Sequence, residues 1–124
     1  MTIALYFAAF MTIAVGVAHS VLGERYILIR LFRHEGLPKL FGSSEFTTRT
    51  LRFAWHITTI AWWGFAAILV QLAQGSISTH SVALVIGVTF CATAFITLAV
   101  SRFRHLAWLV FLFIGGVALY AAIT

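Results

Sequence analysis

Apolar residues fill four stretches of this chain, 2–22, 53–73, 82–100 and 106–123, with polar residues gathered between them. A helix needs roughly 20 residues to cross the hydrocarbon core of a bilayer, so each stretch reads as a spanning helix. The first, 2–22, is interrupted only by mildly polar residues and by His19 and Ser20 near its end. Gly16-Val17-Ala18 also has the small-residue look of a signal-peptide cleavage site, but the Lys or Arg expected ahead of such a run is missing. Residues 24–35 have a different period. At 100° per residue Arg30, Arg33 and His34 fall on one side, with Ile27, Leu28, Leu31 and Phe32 on the other, which predicts a short interfacial amphipathic helix ended by Gly36 and Pro38. Ser43 or Ser44 then predicts an N-cap for the next helix, in which Glu45 precedes Arg49 by four residues, the favourable order for a helical ion pair. The expected fold is an all-α antiparallel bundle of four transmembrane helices, a single membrane domain over 1–124.

Composition supports that reading. The chain is 62% hydrophobic and 9% charged, and its mean hydropathy is +1.05, whereas soluble domains carry about 25% charged residues. Four spans and their connections use nearly the whole length, leaving no room for a soluble catalytic domain.

Charge then orients the chain. All three acids (Glu24, Glu35, Glu45) and six of the eight basic residues lie in connection 24–52, and the other two, Arg102 and Arg104, lie in connection 102–105. The outer turn 74–81 and both terminal segments carry no Lys or Arg. The positive-inside rule therefore puts both basic connections in the cytoplasm and both termini outside, in a bacterial inner membrane. The net charge of +5 points to anionic head groups rather than nucleic acid, because the basic residues sit in short loops beside spans. Cys91 is the sole cysteine, so no intrachain disulfide forms.

Candidate chemistry lies near the cytoplasmic ends of the helices. His19 and His56 each fall about one turn inside the boundary, and His105 lies at the entrance of the fourth span. Arg49, Arg52, His56, Thr59 and Trp63 follow steps of three and four, and Thr12, Gly16, His19 and Gly23 form a second stripe of small and polar residues. The two stripes are expected to meet, making His19 and His56 neighbours.

Ionisable residues within spans default to functional hypotheses. One is a haem bound by His19 and His56, with Arg49 and Arg52 at its propionates and Trp63 beside it. Another is a transition metal held by His19, His56, His105 and Glu24. Glu24 lies five positions after His19, about 140° around a helix, so the two converge only if Gly23 ends or bends it. A third reading makes the histidines neutral hydrogen-bonding partners that tie helices together, while the arginines snorkel to phosphates. Trp55 and Trp108 suit an interfacial aromatic belt, and Trp62, Trp63, Gly87 with Cys91, and Gly115-Gly116 suit packing. No nucleophile–base–acid set, phosphate-binding loop or intramembrane carboxylate pair is evident, so an enzyme is not expected.

Three segments carry a resemblance: Ala18-His19-Ser20-Val21-Leu22-Gly23-Glu24, Arg52-Phe53-Ala54-Trp55-His56 and Arg104-His105-Leu106-Ala107-Trp108. They resemble small bacterial four-helix integral membrane proteins, a group with no established activity, so the likeness transfers no function. The histidine-bearing helices loosely resemble small haem-binding membrane proteins, including four-helix protoporphyrinogen oxidases, but the flanking motifs depart from that family. In length and helix count the chain also resembles the small multidrug-resistance transporters, which use an acid within the first span where this chain has none. The leading expectation is an accessory or structural membrane subunit, with a membrane-protein partner or a second copy. The alternatives are a haem- or metal-binding redox protein and a small-solute transporter, the last requiring a polar path outward past Thr12 and Thr59.

Overall fold

The computed structural model covers residues 1–124, and all its regular elements are helices, with no strand. Helix α1 (Thr2–Leu22) continues into a π-helical segment (Gly23–Leu28) and a last helical turn, α2 (Ile29–Leu31). After an irregular connection come α3 (Glu45–Gln74), α4 (Thr79–Ser101) and α5 (Ala107–Ala121).

Two expectations about boundaries change. The amphipathic stretch is not a separate interfacial helix over 24–35. It prolongs the first helix into one 30-residue element, Thr2–Leu31, because Gly23 keeps helical dihedrals (φ −61°, ψ −48°) instead of breaking the chain. The helix closes at Phe32, ahead of Gly36 and Pro38. The second long helix begins at Glu45, where the Ser43 or Ser44 cap position puts it and ahead of the apolar stretch from 53, but Ser44 precedes it without a side-chain cap. The Ser43 hydroxyl instead accepts from the Glu45 amide at 3.3 Å. The expected Glu45–Arg49 pair forms, and Glu45 also accepts from Arg104 at 3.3 Å, tying the start of α3 to the α4–α5 turn.

The other ends follow local chemistry. At Gly75, in the left-handed region (φ 65°), α3 stops, with Gly75 N–H bonded to Leu72 O and Ser76 N–H to Gln71 O. This pattern satisfies the last carbonyls and reverses the chain. Ser78 and Ser81 then form a reciprocal capping box that starts α4 within a few residues.

Three helices, Thr2–Leu31, Glu45–Gln74 and Thr79–Ser101, are long and apolar enough to cross a membrane, and Ala107–Ala121 is a shorter apolar helix. Close backbone approach between the long helices is confined to sequence neighbours: α1 on α3, α3 on α4, α4 on α5. Paired contacts of opposite sequence order, Gly16–Trp63 with Gly23–Trp55, Gly64–Thr89 with Gln71–Ser81, and Gly87–Leu119 with Cys91–Gly115, show each helix pair to be antiparallel. Connections 23–44 and 102–106 therefore share one end.

The interior reverses the soluble pattern. Of 14 buried residues, only Leu28 and Phe53 are large and apolar; the others are Gly, Ala, Thr and Ser. Phe7, Phe10, Phe65, Phe95 and Phe113 point outward. Small residues at these contacts let the helix backbones approach closely. Glycines do this at each interface: Gly16 and Gly23 lie under Trp63 and Trp55, Gly64 against Thr89, Gly87 under Leu119, and Gly115 against Cys91.

Candidate functional site

The two polar stripes meet along α1 and α3. Thr59 is buried there, its hydroxyl 3.2 Å from Gly16 O and 2.7 Å from Ser20 Oγ. Ser20 Oγ lies 2.9 Å from His56 Nδ1, and His56 Nε2 lies 3.1 Å from Glu24 Oε2. Arg52 holds Glu24 from the other side, with Nη2 2.9 Å from Oε1 and Nε donating to Oε2 at 3.3 Å. A continuous chain of hydrogen bonds thus runs Arg52–Glu24–His56–Ser20–Thr59, crossing between the helices four times.

The π-helical segment takes Gly23 and Glu24 into the start of its wider i→i+5 pattern, with Ile29 N–H bonded to Glu24 O. Glu24 does not swing toward His19. It stays one turn along from Ser20, and the Ser20–Glu24 spacing of four puts both groups on His56. Gly23 supplies the clearance: a Cβ there would stand 2.2 Å from Trp55 Nε1.

His19 serves a second set of contacts on the flank of the same interface. Its ring stacks on Trp55 at 4.5 Å with an interplanar angle of 2°, and Trp62 lies 5.0 Å away. Its Nε2 is 2.9 Å from Thr58 Oγ1 and 3.2 Å from Trp55 O, while Trp55 Nε1 donates back to His19 O at 3.0 Å. His19 and His56 thus belong to one interface but to different partners.

The remaining candidates are placed elsewhere. His105 lies between Phe46 and Phe53, at 5.6 and 4.9 Å, and its Nδ1 accepts from the Ala107 amide at 3.2 Å at the start of α5. Arg49 is held by Glu45. Trp63 covers Gly16, and Thr12 turns its hydroxyl to Ala8 O at 2.8 Å. No three His, Cys, Asp or Glu side chains come together as a group able to hold a metal ion.

The residues sequence reasoning missed are Ser20, Thr58 and Trp55 as hydrogen-bonding members. Ser20 had a readable signal, since it stands four positions before Glu24. Ser20, His56 and Glu24 follow the order of a hydrolase triad, with the base between hydroxyl and carboxylate. A hydrolase also needs free N–H donors aimed at a developing oxyanion. The amides around Ser20 lie within α1, and Thr59 occupies the other side of its hydroxyl. The adjoining groove of about 410 Å³, lined by Val17, Val21, Ile60, Trp63 and Ile96 with the network at its floor, presents an almost wholly apolar wall. Ser20, His56 and Thr59 also line this groove, with their polar atoms engaged with one another. Comparison of the chain with protein-family models, with curated proteins and with solved structures finds no match in any of the three.

Proposed function

We propose that the chain is a small multi-pass protein of the bacterial inner membrane that acts as a non-enzymatic accessory or structural subunit. In this reading the Arg52–Glu24–His56–Ser20–Thr59 chain fastens the first long helix to the second on the cytoplasmic side. The observation that carries it is internal satisfaction. Both His56 ring nitrogens and both Glu24 carboxylate oxygens are taken by protein groups, which leaves the cluster committed to joining helices. A satisfied, part-buried polar network favours one arrangement of the elements it joins.

Membrane placement is supported by the outward-facing phenylalanines, the small-residue interior and the shared end of the basic connections, which the positive-inside rule assigns to the cytoplasm. The α5 helix, 15 residues long, rises only about 22 Å, so the fourth crossing uses residues on either side of it. Partners in this reading are anionic lipid head groups and a membrane protein or second copy.

A haem or transition-metal centre on His19 and His56 would require His56 to release Ser20 or Glu24. Purified protein is expected to be colourless and free of stoichiometric metal, and to stay so after incubation with haem or with zinc, copper or iron salts. Absorption spectra and elemental analysis check this. A Soret band, or a retained metal, that His19→Ala and His56→Ala each remove would contradict the proposal.

A further inference from the structure

Two phenylalanines at the basic end hold backbone conformations that bulky residues seldom adopt: Phe41 at φ 56° and Phe103 at φ 64°. Neither conformation serves to bury the ring. Phe41 is 87% exposed and Phe103 69%. The Phe41 turn is nonetheless firmly built. Leu40 and Ser43 exchange backbone hydrogen bonds at 3.0 and 3.3 Å, with Gly42 at φ 86° completing the reversal. Phe41 meets Phe46 edge-on at 5.3 Å, Phe46 stacks on His105, and His105 meets buried Phe53. An aromatic chain thus runs from the turn to the core, so the exposed tip is held in place.

The charges around these rings identify the occupant. Lys39, next to this turn, and Arg102, beside Phe103, take part in no ion pair. Arg104, 59% exposed and donating to Glu45 at 3.3 Å with one nitrogen, closes a space of about 310 Å³ whose other walls are Phe41 and Phe46. Apolar walls beside a cation match the upper acyl chain and phosphate of an anionic phospholipid. We propose that the Leu40–Ser43 turn and the α4–α5 turn form an interfacial anchor. Phe41 and Phe103 sit at the boundary between head groups and acyl chains, and Lys39, Arg102 and Arg104 engage lipid phosphates. The connection after the first helix then lies along the membrane instead of projecting into the cytoplasm. This rests on the membrane reading above.

The test places a nitroxide label at Phe41→Cys, and separately at Phe65→Cys, in a Cys91→Ala background, in nanodiscs of phosphatidylcholine with or without phosphatidylglycerol. Phe65 is an exposed position within α3. Power saturation compares collisions with oxygen and with a water-soluble nickel chelate. The expected result is an oxygen-dominated label at 65 and, at 41, a label shielded from nickel but open to oxygen, at a depth of about 5–10 Å, rising toward water when phosphatidylglycerol is omitted. A label at 41 open to nickel, with 65 in lipid, overturns the anchor alone. A label at 41 shielded from both reagents overturns it in favour of a protein contact. Nickel access at both positions overturns the membrane reading itself.

Discussion

Gly23→Ala is expected to destabilise the folded protein in detergent by about 3 kcal/mol, the largest loss from adding a single methyl group anywhere in the chain. The added Cβ would stand 2.2 Å from Trp55 Nε1 and 2.5 Å from its Cε2. Trp55 cannot turn away cheaply, because it stacks on His19 and donates to His19 O. Moving the indole therefore undoes both contacts and pushes the two helices apart where Glu24 must reach His56. Gly16→Ala meets Trp63 Nε1 at 2.8 Å, a milder approach that should cost less. Gly116→Ala, with open space around it, is the control and should be neutral or slightly stabilising, since alanine is the better helix former. Denaturant titrations of the three variants, followed by circular dichroism, rank them; equal effects at positions 23 and 116 would contradict the packing described.

Glu24→Ala is expected to cost about 2 kcal/mol. The carboxylate accepts from Arg52 with both oxygens and meets His56 Nε2, so its removal leaves a guanidinium and an imidazole without their partner. Glu24 is 31% exposed, and water that reaches it softens the loss relative to a fully buried pair. Glu24→Gln should lie between wild type and alanine, because the amide oxygen still accepts while the charge is gone. Arg49→Ala should cost less than Glu24→Ala, about 1 kcal/mol or below: Arg49 is itself 15% exposed, but its partner Glu45 is 46% exposed and keeps Arg104. The same titrations supply these values, and an Arg49 loss as large as that at Glu24 would remove the distinction between the helix-joining network and the Glu45 pair within one helix.

Much of this arrangement was legible in the sequence because in long apolar helices the small and polar residues mark where the helices pack. Steps of three and four marked Arg52, His56, Thr59 and Trp63 as one face and Gly16, His19 and Gly23 as another, and those faces meet. What spacing could not give was the direction of individual side chains across the contact. His19 and His56 fall at similar depth, yet one ring stacks on Trp55 while the other reaches Ser20 and Glu24.

The continuity of the first helix through Gly23 was also hidden. Glycine reads as a helix end, but here its missing side chain admits Trp55 while its dihedrals remain helical. His105 illustrates a third limit. Its height is that of the other histidines, but the α4–α5 turn sets it among Phe46 and Phe53, a placement that only tertiary structure decides.

A double-mutant cycle between Glu24 and His56 tests the fastening role most directly, using Glu24→Ala, His56→Ala and the double variant unfolded under identical detergent conditions. If the two side chains stabilise the helix pair through one another, the losses will be non-additive, with a coupling of about 1 kcal/mol or more. Strictly additive losses would show that the contact joins no helices and would contradict the central claim.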